Sequence, residues 1–245
     1  IERIIMDWFF AESVDGEHLI TGEDAIHITK SLRKSVGEAV TLCDSSGVEH
    51  NCLIDRINDE GVFVHEISKT ECQNEPSVEV TLFAALTKGD KLETVIQKSV
   101  ELGISHIVPV LTSRCVSRPD AKSAAKKQAR YQKIALQAAM QSRRAIIPDV
   151  SEIITLEKAS KMLSDFDVAI FFFEGGGKSL KEILSSPAKK IAIFTGPEGG
   201  FEEREVELLA ENGAVVATLG KRILRAETAP IVALAAIMFE TGNLE

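Results

Sequence analysis

Two incompatible hydrophobic periodicities meet near residue 78, and together they limit the fold more than any single motif does. Before that point, "EAVTLCD", "VEHNCLIDRI" and "VFVHEIS" are short β-rich runs separated by the turn signals "SSG" and "NDEG". Such spacing predicts a meander closing into a small barrel. After it, "VEVTLFAAL", "ISHIVPVLT", "DVAIFFF", "KKIAIFT" and "AVVATLG" are strand candidates divided by helical stretches. Strands alternating with helices predict a mostly parallel sheet covered on both faces. The polar, proline-bearing "QNEPS" at 73–77 reads as a linker. The expected organisation is a β-domain over residues 1–73 and an α/β domain over 78–245.

The helical stretches have definable limits. In "KGDKLETVIQKSVELG", Leu92, Val95, Ile96, Ser99 and Val100 fall on one face, and Gly103 is a stop signal. A long helix is expected over roughly 119–141, with others from Ser179, from Phe201 to near Gly213, and from Ala229. The apolar run "PIVALAAIMF" has only ten residues, too short to cross a bilayer. Arg3, Asp7 and Glu12 interrupt the first apolar residues, so no signal-peptide pattern opens the chain. Four cysteines lack a C-x-x-C pair and five histidines lack ligand spacing. Reduced thiols, no metal site, no membrane association and a cytoplasmic location are therefore expected.

Three successive strand candidates end in unusual loops: "FEGGGKS" at 173–179, "TGPEGG" at 195–200 and "LGKRILRAETAP" at 219–230. In α/β sheets ligands collect beyond the carboxyl ends of strands. Phosphate is the obvious first ligand to test, and the residues argue against it. Gly177-Lys178-Ser179 fits the tail of a Walker loop, but Phe172 stands where its leading glycine belongs. Glu198, Glu202, Glu203 and Glu205 crowd the helix that follows the second loop, where they suit the helix dipole and would repel a pyrophosphate. A neutral or cationic ligand fits better. Taken alone, Gly199 and Gly200 are better explained by a tight strand-to-helix turn, with the glutamates as a solvated first turn. In the third loop Lys221, Arg222, Arg225 and Glu227 surround Ile223 and Leu224. Apolar side chains that sandwich a flat ring while backbone groups read its edges make a small-molecule pocket; a surface loop with a weak Arg–Glu pair is the plainer alternative.

The segments "GPEGGFEEREV", "LGKRILRAETAP" and "KGDKLETVIQKSVELGISHIVPVLTSRC" together resemble the bacterial 16S ribosomal RNA uracil-N3 methyltransferases of the SPOUT class, the RsmE family, in the same order from "IHITKSLR" at residue 26 to the C-terminus. The resemblance implies a PUA-like β-barrel followed by an α/β domain with a deep trefoil knot. It also implies S-adenosylmethionine as methyl donor, a homodimer, and 16S rRNA in the small ribosomal subunit as partner. By position, Thr195, Gly196, Pro197, Glu198, Gly199 and Gly200 match the first cofactor loop; Leu219, Gly220, Ile223, Leu224, Arg225, Thr228 and Ala229 match the second. Arg225 and Glu227 are the candidates for chemistry, the arginine to stabilise charge on a deprotonated uracil and the glutamate to orient it or accept a proton. One departure stands out: Met140 occupies the place where the family usually carries Glu, whereas Gln141, Ser142 and Arg144 fit.

A formal net charge of −9 does not suggest a nucleic-acid partner, but the charge is unevenly spread. Nine basic residues against the single acid Asp120 lie between Ser113 and Ile147. Arg114, Arg118, Lys122, Lys126, Arg130 and Arg144 are the expected RNA contacts there, joined by Lys88 and Lys91 and by Lys30 and Arg33 in the β-domain. A solvated basic face is the alternative for any one of them. Two other functions remain open at this level: a related enzyme modifying a ribose 2′-OH or another base, and a non-catalytic RNA-binding assembly factor.

Overall fold

Residues 7–14 and 16–244 are described by the structure, a computed structural model of the chain. Two compact units emerge. The first takes the chain through Glu75 together with Ala139–Ile146; the second takes Pro76–Ala138 and residues from Ile147 onward. The division falls between Glu75 and Pro76, inside "QNEPS". Periodicity gives no sign of the second piece of the first unit. Its anchor is Glu75, whose carboxylate accepts hydrogen bonds from the Arg144 guanidinium and from the amides of Ala145 (2.9 Å) and Ile146 (3.1 Å).

The first unit contains β1 (Asp7–Phe10), β2 (Glu17–Ile20), a short α1 (Gly22–Ile26) running into a π-helical turn (His27–Ser31), β3 (Ala39–Cys43), β4 (Val48–Asn58) and β5 (Gly61–Glu71). Strands β3, β4 and β5 form the expected antiparallel meander, and the sheet order is β1-β3-β4-β5-β2, with β1 parallel to β3. No ladder joins β1 to β2 among the described residues. Alternation along β3 to β5 sends Val40, Leu42, Cys52, Ile54, Val62 and Val64 into one core with Phe9 and Ile28. Met140 packs against the same core, so at this position an apolar side chain has an apolar place to go.

The second unit comprises β6 (Glu79–Ala85), α2 (Lys91–Glu101), β7 (His106–Leu111), α3 (Ala121–Ser142, to Ala138 in this unit), β8 (Asp149–Val150), β9 (Ile154–Thr155), α4 (Leu156–Ser160), β10 (Val168–Phe172), α5 (Leu180–Ile183), β11 (Lys190–Thr195), α6 (Glu203–Glu211), β12 (Val215–Ala217) and α7 (Thr228–Glu240). Its strands are parallel throughout, in the order β12-β10-β11-β6-β7-β8, with β9 also on β7. The chain therefore builds outward from β6 through β7, then returns to lay β11 on the other edge of β6 and β10 and β12 beyond it. The buried face of α2 is Leu92, Val95, Ile96, Ser99 and Val100, the stripe expected from spacing. Gly103 ends it with φ of +95°, and a Cβ there would lie 2.5 Å from Pro76 Cγ. Phe83 and Phe194, partners in the β6–β11 register, stack at 4.4 Å between ring centroids. Phe171 meets Phe201 edge-on, which carries the core to the start of α6.

The single acid of the basic segment has a structural job: Asp120 precedes α3, and its carboxylate accepts the Ser123 amide at 2.8 Å. Hydrogen bonding from the Ser123 side chain, and then from its amide, holds the Asp120 pKa below the ordinary aspartate value. Cys43, Cys52, Cys72 and Cys115 are free thiols. No helix is long and apolar enough to cross a membrane, and no group of three His, Cys, Asp or Glu able to hold a metal occurs, both among the described residues.

Candidate functional site

Adjacency of β12, β10 and β11 brings the three sequence loops together, because parallel neighbours end on the same side of the sheet. A cavity of about 380 Å³ lies there. The first loop contributes Phe173 and Glu174, after Phe172 at the end of β10; the second contributes Gly196, Pro197, Glu198, Gly200 and Phe201; the third runs from Thr218 through Ala226, with Ala229 behind it. Lys91, from the start of α2, completes the wall. Of the expected cofactor residues, Gly196, Pro197, Glu198, Gly200, Leu219, Gly220, Ile223, Leu224, Arg225 and Ala229 line the cavity; Thr195, Gly199 and Thr228 do not. Thr195 is a buried residue at the last position of β11. The Thr228 amide caps the third loop by donating to the Arg225 carbonyl.

The glycines of the second loop do different things. Gly200 has φ of +68° and a Cβ there would lie 3.4 Å from the Glu174 carboxylate. Gly199 faces away from the cavity, where a Cβ would meet the Arg114 side chain at 3.3 Å, and its carbonyl accepts from Arg114 Nη1 at 2.7 Å. Behind them Glu205, 6% exposed, accepts the Ser113 amide at 2.7 Å and the Glu202 amide at 2.8 Å, the second bond being half of a capping box that starts α6. Glu202 and Glu205 thus serve the helix start and the loop at 112–114 rather than a ligand.

Charge alternates across the cavity. Glu198 accepts the Lys88 amide at 3.1 Å and the Lys91 ammonium at 3.0 Å. Burial pushes the Glu198 pKa up, but hydrogen bonds from its own amide, Lys91 and the Lys88 amide outweigh this and leave it below the ordinary carboxylate value. Lys91 Nζ also lies 3.4 Å from Glu227 Oε2, an ion pair outside hydrogen-bonding alignment, and that buried oxygen has no hydrogen-bond partner. Hydrogen bonding to Glu198 holds the Lys91 pKa above the ordinary lysine value; desolvation opposes it, and the charges of Glu198 and Glu227 add to it. Glu227 Oε1 lies 4.0 Å from Arg225 Nη1, whose side chain is 83% exposed.

Several expectations need correction. Ile223 does not bury itself against the loop but stands 84% exposed at the cavity rim, because the turn that carries it points outward between Arg222 and Leu224. Arg144 is not a surface cation: it is 3% exposed and paired with Glu75. Lys91 lines the cavity rather than an open basic face. Arg114, Arg118 and Arg130 stay exposed while bonded, Arg118 to the carbonyls of Thr112 and Ser113 and Arg130 to Glu93 at 2.7 Å. Lys30, Arg33, Lys88, Lys122 and Lys126 are exposed. Spacing missed Phe172, Phe201 and Thr218 as cavity residues. Each directly adjoins a loop flagged by its glycines or charges, which is the signal that could have found them.

Known proteins share this arrangement. Residues 73–238 match the RNA methyltransferase domain family and residues 20–67 the RNA methyltransferase PUA domain family. The ribosomal RNA small subunit methyltransferase E of Bacillus subtilis is 38% identical over 232 residues, covering 92% of this chain and 91% of the relative. The crystal structure of the Neisseria gonorrhoeae enzyme of the same name, bound to S-adenosyl methionine, superposes with a TM-score of 0.87 at 32% identity, over 96% of this chain and 97% of that one. A Legionella pneumophila methyltransferase in complex with the same cofactor gives 0.88 at 30%, again over 96% and 97%. With a family match over more than half the chain and relatives aligned along nearly their whole length, this chain belongs to the ribosomal RNA small subunit methyltransferase E family.

Proposed function

We propose that the protein transfers a methyl group from S-adenosylmethionine to N3 of a uridine in the 16S rRNA of the small ribosomal subunit. The observation that carries this reading is the cavity itself, where the three loops meet at the ends of adjacent parallel strands. Phe172, Phe173, Leu219 and Leu224 offer apolar surface to a flat base, and Glu174 and Glu198 offer carboxylates to a cationic group, beside the cations Lys91, Lys221, Arg222 and Arg225. The donor, when bound, supplies an electrophilic methyl group on a sulfonium. Gly196, Pro197, Glu198, Gly200 and Leu219 to Leu224 would hold it, and relatives crystallised with it support the choice of donor.

What the chain must add is alignment and charge. An imide nitrogen attacks only after losing its proton, so the ring carries negative charge as the reaction begins. Arg225, exposed beside the cavity, is placed to offset that charge, and Glu227 orients the guanidinium. The target base has to be unpaired or flipped out, since pairing hides N3. Lys122 and Lys126 on α3, with Lys30 and Arg33 in the first unit, supply exposed cations for the RNA backbone. The trefoil knot, the closed PUA-like barrel, the homodimer and a cytoplasmic place of work belong to the same reading.

The test is methyl transfer from labelled S-adenosylmethionine to small ribosomal subunits lacking the modification, with the product nucleoside identified by mass spectrometry. N3-methyluridine is the expected product. A 2′-O-methylated nucleoside, another methylated base, or no donor binding by calorimetry would defeat the proposal.

A further inference from the structure

We propose that Lys91 is a positioning residue for methyl transfer and not an RNA contact. Its ammonium ties Glu198 of the second loop to Glu227 of the third, and through Glu227 it fixes Arg225. The inference rests on the methyltransferase reading above and deepens it.

The chain of contacts runs Glu198, Lys91, Glu227, Arg225, with separations of 3.0, 3.4 and 4.0 Å. Four alternating charges from three separate elements meet at one cavity. Lys91 opens α2, a place where a cation opposes the helix dipole, so helix stability does not account for a lysine there. Nor does a half-exposed ion pair add much stability of its own. Its position between two carboxylates accounts for it better. Without the ammonium, Glu198 and Glu227 would both turn negative charge toward the cavity, and the buried Glu227 oxygen, which accepts no hydrogen bond, would lose the cation that faces it. Glu227 would then be free to swing toward or away from Arg225, whose own side chain is otherwise little restrained. Because Lys91 reaches substrate only through Glu227 and Arg225, its loss should appear in turnover more than in RNA affinity.

The experiment measures steady-state transfer to small ribosomal subunits for wild type, Lys91→Met, Lys91→Arg, Glu227→Gln and the Lys91→Met/Glu227→Gln double variant, with urea midpoints to confirm folding. Lys91→Met should lower kcat by about 10- to 100-fold, leave the KM for subunits within about twofold, and be largely restored by Lys91→Arg. The double variant should be no slower than the slower single variant, since both break one linkage. A raised subunit KM with unchanged kcat and a shallower salt dependence would mean a phosphate contact and would overturn the inference. Multiplicative losses in the double variant would overturn it as well. A wild-type protein that transfers no methyl group refutes the underlying function instead, so the two failures are distinguishable.

Discussion

Gly177 tests whether β12 is held from both sides. A Cβ at this position would lie 2.6 Å from Val216 O, 2.7 Å from Val216 C and 2.8 Å from Ala217 N, all backbone atoms. Carbon needs about 3.5 Å from such neighbours, so Gly177→Ala requires the loop and the strand to part by roughly 0.9 Å. Three hydrogen bonds resist that: Lys178 N to Val216 O at 3.0 Å, Thr218 N to Lys178 O at 3.1 Å and Phe173 N to Ala217 O at 3.2 Å. Losing two of them costs about 2 kcal/mol net, and the residual overpacking adds about 1–3 kcal/mol, for an expected destabilisation of about 3–5 kcal/mol.

Gly176 is the internal control. Its φ is +102°, yet no heavy atom lies within 4 Å of a Cβ built there, so Gly176→Ala carries only backbone strain, about 1–2 kcal/mol. Urea unfolding followed by helical ellipticity measures both variants. Because Thr218, Leu219 and Gly220 follow β12 directly and line the cavity, Gly177→Ala should also weaken S-adenosylmethionine binding by about tenfold or more, whereas Gly176→Ala should change it by less than about threefold. If the two alanine variants unfold within about 0.5 kcal/mol of each other, the packing account of Gly177 is wrong.

In the second loop, Gly200→Ala should cost about 1–2 kcal/mol through its φ of +68°, while Gly199→Ala should cost less than about 1 kcal/mol, since the half-exposed Arg114 side chain can move aside; equal urea midpoints would refute the distinction. Arg225→Ala should reduce kcat by about 100-fold with donor affinity, measured by calorimetry, changed by less than about threefold; equal losses in both would remove Arg225 from the chemistry. His50, 4% exposed, is hydrogen-bonded to Glu66 and to Asp44. Burial lowers its pKa, but the bonds to Glu66 and Asp44 prevail and hold it above the ordinary 6.5. A raised folded value gives stability that is complete below pH 6.5 and lost as pH climbs through that folded value. Wild type should therefore lose urea resistance above pH 6.5, as followed by fluorescence of the lone, buried Trp8 in the same unit, and His50→Gln should lack that slope.

Most of the architecture could be read from period alone. The α2 stripe, the parallel sheet and the meander follow from burial patterns that a linear sequence displays directly. What stayed hidden depends on pairing across the chain. Arg144 reads as one more cation in a basic run until Glu75, sixty-nine residues away, is seen to bury it. Lys91 reads as a surface lysine until the ends of β11 and the start of α7 bring two carboxylates to it. Ile223 reads as apolar and hence internal, but it stands exposed in a loop that lines an open cavity.

Glycine gives the sharpest case, because the residue signals close approach without saying to what. The obvious inference from "TGPEGG" and "FEGGGKS" is that backbone lies against a ligand. At Gly177 the close neighbour is the β12 backbone, at Gly199 it is Arg114, and at Gly196 it is the Phe201 ring at 3.3 Å. Gly200 and Gly220 combine a left-handed backbone with a place on the cavity wall, and at Gly200 the nearest group is the Glu174 carboxylate, while nothing lies within 4 Å of a Cβ at Gly220. The glycines act mainly by letting three loops crowd one another at the ends of adjacent strands. A concave wall follows from that crowding, since side chains that would have filled the space are missing on the inner turns. Attraction for a cationic donor then rests on Glu174 and Glu198, the carboxylates left in the lining after Glu202 and Glu205 are used to start α6, set against Lys91, Lys221, Arg222 and Arg225 on the same wall.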